Sequence, residues 1–254
     1  VWWKNYMDGC PAVPLPPNKA EDAGETITFP VDHGVVEQAR LLCRSHKITM
    51  FNLMLSVLQV CISRIQGVGD FAIAGATANR PNHHFEDSVG FFAQLAIYRQ
   101  DLSKIQTWKQ LWSANQATLS EILDRQFFPV TELPLPNTDF YISYHQYQRA
   151  KWTDQDAVVR EDLGLRSSGV MDSALGPWEL VFVEMPLCTS GIVFEVVDQR
   201  TGLSVNLRYR VTCLSKKRAD LYVRLFQELL ALSLSDCEAT IDKSPVRVFG
   251  GRSA

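Results

Sequence analysis

Two adjacent histidines, His83 and His84, are the side chains of this sequence best suited to acid–base chemistry. An imidazole can take a proton from a nucleophile near neutral pH, provided that the fold holds it within hydrogen-bond reach. The pair follows Arg80 in a polar stretch, and no further ligand stands at a helical or strand spacing that would complete a metal site. We therefore predict an exposed loop pair and assign neither a catalytic residue nor a metal; general-base catalysis and metal binding are the alternatives.

Three other patterns suggest chemistry but lack the local structure that it requires. His145 alternates with tyrosines in a predicted strand, which is typical of a surface or half-buried sheet histidine. Gly67 and Gly69 precede a strand, whereas a phosphate-binding loop must open a helix. Ser167 and the residues after it lack the strand–turn–helix setting of a serine nucleophile.

Two glycine-led apolar segments enclose the polar stretch and predict a wall rather than a catalytic centre. The first leaves a strand and ends in a charged residue, and the second reads as a strand of its own: Gly75-Ala76-Thr77-Ala78-Asn79-Arg80 and Gly90-Phe91-Phe92-Ala93-Gln94-Leu95. One side of a substrate tunnel is often built from such a pair. Arg80 lies at the strand end, where it either forms a structural ion pair that holds the loop or anchors the tunnel.

The remaining pattern supplies the elements that must position these segments. Helical periodicity and capping residues predict four helices, at residues 33–47 after Asp32, 50–66 between Thr49 and Gly67, from Ser103 to about Leu123, and from Ser215 to about Leu234. Short apolar or alternating runs predict strands at residues 70–74, 90–98, 138–148, 178–185, 191–198 and 203–210, the last two joined by a hairpin. Residues 1–31, which are rich in proline, and 149–176, which are polar, are predicted to be loops.

Together these elements predict an α/β fold in which helices cover one face of a mixed β-sheet. A net charge of −3 gives no reason to expect nucleic acid or an anionic membrane as a partner. The six cysteines form no C-x-x-C pair, no apolar run approaches the roughly twenty residues that span a bilayer, and the first residues do not resemble a signal peptide. We expect a cytoplasmic location, with the chain starting in the middle of a longer protein.

Segments along nearly the whole chain resemble the condensation domains of nonribosomal peptide synthetases. The two glycine-led segments are similar to that family's G-x-P-x-A-(G/N)-R and (I/V)-G-x-F-V-N-T motifs. Further similar segments run from Trp3 to Pro16, from Thr49 to Gly75, from Arg125 to Leu133, from Pro177 to Leu180 and from Leu207 to Arg210. The family has the chloramphenicol-acetyltransferase-like fold, in which two α/β lobes form a V around a tunnel, and the resemblance implies that this chain is the C-terminal lobe.

The resemblance also implies how the chain is divided and which residues face the tunnel. It implies an inter-lobe linker at residues 1–31, the lobe at 32–240 with a loop and latch region at 149–176, and a tail or linker at 241–254. The latch itself would come from about residues 167–180. The implied tunnel wall consists of Gly90, Phe92 and Gln94, with Arg80 as an anchor near it. Gln94 stands where the family usually has Asn.

Condensation domains join an acyl thioester on one carrier to a nucleophile on another, which forms an amide or an ester. The implied partners are an N-terminal lobe and carrier (thiolation) domains, with no bound cofactor, because the phosphopantetheine arm arrives on the carrier. The family's His-His-x-x-x-Asp-Gly motif is absent from this sequence, since Asp87 follows the histidine pair one residue too early. We therefore expect a chain that supplies tunnel wall, latch and acceptor-carrier docking and is inactive alone. The alternatives are a degenerate, non-catalytic docking platform for carrier or tailoring proteins and a self-standing acyltransferase that uses His83 or His84.

Overall fold

In the computed structural model, side chains are described for residues 1–13, 15–16, 23–80, 82, 84–85, 88–132, 139–146, 191–199 and 202–246, and the backbone alone for residue 83 and for four strands between residues 152 and 183. The helices are α1 (Trp2–Met7), α2 (His33–His46), α3 (Met50–Gln66), α4 (Trp108–Asp124) and α5 (Lys216–Ser235). The strands are β1 (Gly24–Val31), β2 (Asp70–Thr77), β3 (Gln94–Asp101), β4 (Phe140–Gln146), β5 (Trp152–Thr153), β6 (Val159–Arg160), β7 (Leu165–Ser173), β8 (Gly176–Val183), β9 (Ile192–Gln199) and β10 (Gly202–Arg210).

Six strands form one mixed sheet in the order β1-β10-β9-β4-β2-β3. β4 runs parallel to both of its neighbours, β2 and β9, and the other pairs are antiparallel. The predicted hairpin is confirmed, because Gln199 pairs with Gly202 across β9 and β10. β5, β6, β7 and β8 form a second, four-stranded sheet. Because β2, β4 and β9 run in the same direction, their carboxyl ends meet at one edge of the central sheet.

The helices pack against one face of the central sheet, as predicted. On β9, Phe194 is buried and the next residue, Glu195, is only half-buried. The ring of Phe194 lies against two rings of α5, with centroid distances of 6.0 Å to Tyr222 and 5.7 Å to Phe226. α3 is buried almost all round, which accounts for its apolar composition. One face of the sheet is therefore the core, and the other keeps polar side chains.

A buried polar seam joins α3 to α4. Asn115 donates to Ser56 Oγ and to Gln59 Oε1, both at 2.8 Å, and Asn52 donates to the backbone oxygen of Trp112 at 3.0 Å. Polar groups buried in an apolar layer are stable only in the arrangement that pairs them, so a sliding of one helix along the other would leave them unpaired. The seam therefore fixes the register of α3 against α4.

The predicted caps of the core helices are confirmed. Asp32 Oδ1 accepts two backbone N–H groups of the first turn of α2, at 2.8 and 3.2 Å. Thr49 Oγ1 accepts the N–H of Asn52 at 3.1 Å, and Gly67 ends α3 in the left-handed conformation at φ 68°. Ser215 likewise caps α5. Local hydrogen bonding is enough to place these helix ends.

The prediction that residues 1–31 form a loop was wrong at both ends. Trp2–Met7 form α1, because Trp3 is buried in the core and the rings of Trp2 and Tyr6 stack at a centroid distance of 4.7 Å. Gly24–Val31 form β1, which pairs with β10 at the edge of the sheet. An edge strand tolerates a proline, because half of its N–H groups face away from the sheet. The role of the segment as a connection to another lobe stays a prediction.

Arg99 of β3 holds α1 in place. Its Nη1 donates to the backbone oxygens of Tyr6 and Asp8, at 2.9 and 2.8 Å, where α1 ends. Its Nε and Nη2 bind the two carboxylate oxygens of Asp70 at 3.0 and 2.7 Å. The hydroxyl of Tyr6 also accepts the backbone N–H of Arg99 at 2.5 Å. The guanidinium thus ties the first helix to an edge strand.

Two predicted element starts were wrong. β3 begins at Gln94 instead of Gly90, because its partner β2 ends at Thr77 and leaves residues 90–93 without a strand to pair with. α4 begins at Trp108, because the hydroxyl of Thr107, and not that of Ser103, accepts an N–H of its first turn.

The loop predicted at residues 149–176 was also wrong, because β5, β6 and β7 lie within it. These strands, with β8, pair with one another and not with the central sheet. Sequence reasoning missed them because residues 149–176 are polar and have no alternating apolar pattern.

Residues 241–246 pack against the rest of the described structure, so the tail predicted at 241–254 does not begin at residue 241. Ile241 is buried, and its N–H donates to the backbone oxygen of Gln106 at 2.7 Å. The N–H of Val246 donates to the backbone oxygen of Arg64 at 2.9 Å. The rest of the predicted tail lies outside the described residues.

Among the described residues, no single helix is both long and apolar enough to cross a membrane. α2 and α3 meet the length and composition criteria only as a pair, and they are bent by 108°.

Gly75 gives the first testable prediction. A Cβ at this position would lie 2.7 Å from Tyr98 Cε2 and 2.8 Å from the backbone oxygen of Ile142, so Gly75→Ala forces neighbouring strands apart. We expect the free energy of unfolding in urea to fall by about 1–3 kcal/mol. The control is Gly202→Ala, where a Cβ meets nothing within 4 Å. An equal effect of the two substitutions would contradict the packing described here.

Candidate functional site

A cavity of about 1190 Å³ opens at the edge of the sheet where the parallel strands β2, β4 and β9 end. Its walls come from α2, the start of α3, the second half of α4 and residues 76–80, which include the end of β2 and the residues that follow it. In open α/β sheets, ligands commonly bind beyond the carboxyl ends of the strands, where the connections diverge. The cavity is therefore the candidate functional site.

A charged pair lines one end of the cavity. Arg40 Nη2 lies 2.9 Å from Asp198 Oδ1, and the hydroxyl of Tyr144 donates to Asp198 Oδ2 at 2.6 Å. Burial and then the bond to Asp198 raise the pKa of the Tyr144 hydroxyl, which keeps it protonated as a donor. The Asp198 carboxylate is thus held by a cation and a hydroxyl.

Aromatic rings form the floor. Phe51 at the start of α3 meets Tyr98 of β3 at a centroid distance of 5.4 Å and Tyr144 of β4 at 6.2 Å, both edge to face. Such pairs add to the free energy that burial of the rings supplies. The floor is therefore rigid and largely apolar.

Two buried polar atoms at the end of β2 have no hydrogen-bond partner among the described residues. They are Thr77 Oγ1 and Asn79 Oδ1, and both side chains line the cavity. Asn79 also has a left-handed backbone conformation at φ 49°, which a residue other than glycine adopts only at a cost. Buried polar groups are nearly always paired, so a water or another molecule would be needed to complete the hydrogen bonds of these two atoms.

Cys43 also lines the cavity but is unsuited to nucleophilic chemistry. Burial raises the pKa of its thiol to about 11, so the thiol is protonated near neutral pH. Reactive cysteines have the opposite shift, because the thiolate is the nucleophile.

Arg80 is the predicted site residue that the structure places in the wall of the cavity. Its Nη1 donates to the backbone oxygens of Phe85 and Ser88, the latter at 3.0 Å, and its guanidinium carbon lies 4.4 Å from the centre of the Phe92 ring. It therefore holds the loop through carbonyls and a cation–π contact, and among the described residues no carboxylate pairs with it. Its role as an anchor near a tunnel stays a prediction.

The predicted tunnel-wall residues lie on or beside the loop that Arg80 holds, and they do not line the cavity. Phe92 is half-buried and meets the ring of Phe85 edge to face at 5.8 Å. Gly90 is exposed, and a Cβ there would lie 3.1 Å from Phe92 Cε2. Gln94 is the first residue of β3 and pairs with Thr77 of β2. The side-chain hydroxyl of Thr77 is one of the two cavity atoms described above that lack a hydrogen-bond partner. Their contact with a tunnel stays a prediction.

Large apolar side chains project into solvent around this loop. Val89 is 103% exposed and Phe91 95%, and Phe127, which lines the cavity with Arg80, is 61% exposed. We call these three residues the apolar rim. Apolar groups exposed together beside a cavity are typical of a surface that another protein covers.

The histidine pair lies on a short turn, His83–Phe85, and His84 is not among the residues that line the cavity. His84 is exposed, as predicted, and its backbone N–H donates to Asn82 Oδ1 at 3.1 Å. The side chain of His83 lies outside the described residues. Within the part of the chain that the structure describes, no three His, Cys, Asp or Glu side chains come together as metal ligands.

A polar network covers the outer face of the sheet. Glu195 Oε2 accepts from Asn206 at 2.9 Å, and Asn206 Oδ1 accepts from Thr28 at 2.8 Å. His145 Nε2 lies 2.7 Å from Ser143 Oγ and 3.4 Å from Glu195 Oε1. In a serine–histidine–acid relay, the acid binds the other ring nitrogen, so this trio has the wrong geometry for catalysis.

Sequence reasoning missed the cavity residues Arg40, Asp198 and Tyr144, because they come from separate elements. For Asn79, the residue type alone could have predicted a left-handed backbone, since Asn adopts this conformation more readily than other residues with a side chain. Thr77 carried no signal of its own.

Comparison with known proteins identifies the family of the chain. The family model of the condensation domain matches residues 1–159, and the chain therefore belongs to the condensation-domain family. Chondramide synthase cmdD of Chondromyces crocatus is 29% identical over 134 residues, which are 51% of this chain and 3% of that protein. Nonribosomal peptide synthetase kk1B of Curvularia clavata is 22% identical over 265 residues, which are 98% of this chain and 2% of that protein.

A solved structure confirms the predicted fold class. The X-domain from teicoplanin biosynthesis superposes with a TM-score of 0.74 at 18% sequence identity, over 97% of this chain and 56% of that chain. The chain thus spans a few per cent of the two synthetases and about half of a solved domain of the same fold. That coverage agrees with one lobe of a two-lobed domain.

Glu195 gives a prediction about pH. The hydrogen bond from His145, together with a weaker contribution from that of Asn206, lowers the pKa of its carboxyl although burial opposes this. A carboxylate whose pKa is lower in the folded state stabilises the fold above the ordinary pKa of Glu, and this contribution is lost as pH falls through the folded-state pKa. Glu195→Gln should therefore lower the free energy of unfolding by about 1–3 kcal/mol at pH 7 and by clearly less at pH 3.

Urea denaturation at the two pH values measures this difference. Glu228→Gln, at an exposed position on α5, is the matched control and should have little effect at either pH. A loss for Glu195→Gln that is the same at pH 7 and pH 3 would rule out the proposed charge contribution.

Proposed function

We propose that this chain is the C-terminal lobe of a condensation domain from a nonribosomal peptide or hybrid polyketide–peptide synthetase. Its part would be to supply one wall of the tunnel, a latch and a docking surface for the acceptor carrier. The observation that carries the proposal is the apolar rim, where Val89 and Phe91 stand fully in solvent on a loop that Arg80 holds firmly beside the cavity. Exposing two such side chains to water is unfavourable on an isolated domain. At the face of a two-lobed cleft, the other lobe would bury them.

The predicted residues then have distinct parts. Phe92 and Gln94 would face the tunnel where β3 begins, and Gly90 would let the loop approach closely. Arg80 would keep this wall in one conformation through its two carbonyl partners and the Phe92 ring. A fixed wall matters, because two thioester-bound reactants react only when they are held in line and shielded from water.

The chain itself would carry no proton-transferring residue. Its sequence has no His-His-x-x-x-Asp-Gly motif, and His84 lies on an exposed turn. Proton handling would come from an N-terminal lobe, and the phosphopantetheine arm would arrive on carrier domains, so no cofactor of this chain's own is proposed. The predicted latch at 167–180 falls on β7, β8 and the residues between them, whose side chains lie outside the described residues.

A second candidate function is a non-catalytic docking platform. Gln94, in place of the family's usual Asn, favours it, because an altered tunnel residue is tolerated where no reaction takes place. A protein of the same fold, the X-domain from teicoplanin biosynthesis, has been solved in complex with OxyB. In that case the apolar rim would bind a tailoring or carrier protein directly.

The test is a condensation assay on the complete product of the gene that encodes this chain, with an acyl carrier and an aminoacyl carrier as substrates. If the proposal holds, amide or ester product forms, and Phe91→Asp lowers its rate about tenfold or more because it places a charge in a desolvated contact. Leu232→Asp is the matched control, since Leu232 is exposed on α5 and does not line the cavity.

Carrier binding by the same protein separates the two candidates. Carriers or tailoring proteins that bind without product, and that Phe91→Asp releases, would establish the docking platform. Absence of both product and binding would overturn both functions.

A further inference from the structure

We propose that the short helix α1 couples the two sides of the apolar rim, so that a displacement of one side is passed to the other. One side is the turn after α4, which carries Phe127. The other side is β3, which directly follows the loop of Val89 and Phe91. The inference does not rest on the proposed function, because it concerns only how this chain holds the surface that a partner would cover.

The first attachment joins α1 to the turn after α4. The indole Nε1 of Trp3, which is 4% exposed, donates to the backbone oxygen of Arg125 at 3.4 Å. The same oxygen accepts the backbone N–H of Phe128 at 3.1 Å, so Trp3 binds the group that closes the turn around Phe127. The guanidinium carbon of Arg125 lies 5.0 Å from the centre of the Trp2 ring, within the range of a cation–π contact. Two tryptophans of α1 therefore hold this turn.

The second attachment joins α1 to β3, an edge strand of the central sheet. The hydroxyl of Tyr6 accepts the backbone N–H of Arg99 at 2.5 Å and donates to its backbone oxygen at 3.2 Å. At this residue, Tyr6 thus takes the place that a further strand would occupy. The Arg99 guanidinium donates in return to two backbone oxygens at the end of α1.

The aromatic rings of α1 connect the two attachments. The ring of Tyr6 stacks on that of Trp2 at a centroid distance of 4.7 Å and meets that of Trp3 edge to face at 5.9 Å. The two indoles meet each other edge to face at 5.0 Å. Because closely packed rings transmit displacement, a shift of Tyr6 moves both tryptophans. The residue that binds β3 and the residues that bind the α4 turn therefore move together.

The length and position of α1 allow it to shift without loss of the fold. Six residues are too few for a helix that is stable in water by itself, so α1 keeps its place through these side-chain contacts. It lies beside an edge strand, whereas the polar seam between α3 and α4 fixes the core independently of it. Segments of this kind can be displaced at a smaller cost in free energy than global unfolding.

The coupling has a consequence for binding at the rim. Energetic coupling between two sites is reciprocal. A partner that covers Val89, Phe91 or Phe127 would restrain α1, and a partner that displaces α1 would change how these three side chains are presented. Binding at the rim could thus be regulated through α1, without any contact to the cavity.

Amide hydrogen exchange on the 254-residue chain tests the coupling, because each variant breaks one attachment and exchange is also measured at the other. Trp3→Phe removes the hydrogen bond to the α4 turn and leaves those between α1 and β3 intact. It should raise exchange in residues 94–101 as well as in residues 125–128, by about threefold to tenfold. Tyr6→Phe removes two bonds to β3 and should raise exchange in residues 125–128 by a similar factor.

Tyr222→Phe is the matched control. It also removes a buried tyrosine hydroxyl, which Gln66 Nε2 binds at 2.8 Å between α3 and α5, and it should leave exchange in both segments unchanged. Exchange in the middle of α3, which is buried almost all round, is the internal reference for a global loss of stability. Either variant alone decides the question, so loss of the fold in one of them leaves the test intact.

A rise confined to the segment whose own hydrogen bonds were removed would overturn the inference. A rise of the same factor in α3 would overturn it as well, because the effect would then be global. A rise in both segments with α3 unchanged is the expected result. The condensation assay plays no part in this measurement, so the inference and the proposed function can fail separately.

Discussion

The close contact between the ring of Tyr98 and the bare backbone of Gly75 is the constraint on which the rest of this lobe depends. Because residue 75 has no side chain, the ring of β3 lies across β2 and the neighbouring backbone of β4 can approach it. The same ring meets Phe51 at the start of α3 and so closes the floor of the cavity. Thr77 follows two residues later on the same strand. The position of Thr77 is therefore set by the close packing of β2 against β3 and β4.

The polar side chains of the outer face and those at the cavity differ in whether they have hydrogen-bond partners. On the outer face, Glu195 has its partners on the chain itself, in Asn206 and His145, and such a network stabilises the fold without any ligand. On the helical side, beyond the strand ends, Thr77 and Asn79 have none among the described residues. The network on the outer face therefore needs no further partner, whereas the two groups at the cavity are left for a water or another molecule to complete.

Local signals made part of the fold predictable from sequence. The caps at Asp32 and Thr49 follow from residue type and position, as does the β9–β10 hairpin. α1 and β1 could not be predicted in this way, because Trp3 is helical through burial and β1 finds its partner in β10, far along the chain. The same holds for the site: Arg80 was predicted to hold its loop, but backbone carbonyls as partners leave no mark in a sequence. The Arg40–Asp198 pair joins residues 158 positions apart, which only the folded chain brings together.

The attachment of α1 to β3 has a mechanical consequence. The guanidinium of Arg99 donates hydrogen bonds to backbone oxygens at the end of α1, and its backbone N–H donates to the Tyr6 hydroxyl. The helix and the strand therefore move as one body. β3 begins at Gln94, directly after the loop that carries Val89 and Phe91. A displacement of α1 would thus be passed along the edge strand β3 to the loop that carries Val89 and Phe91, so the orientation of these two side chains is coupled to the first helix.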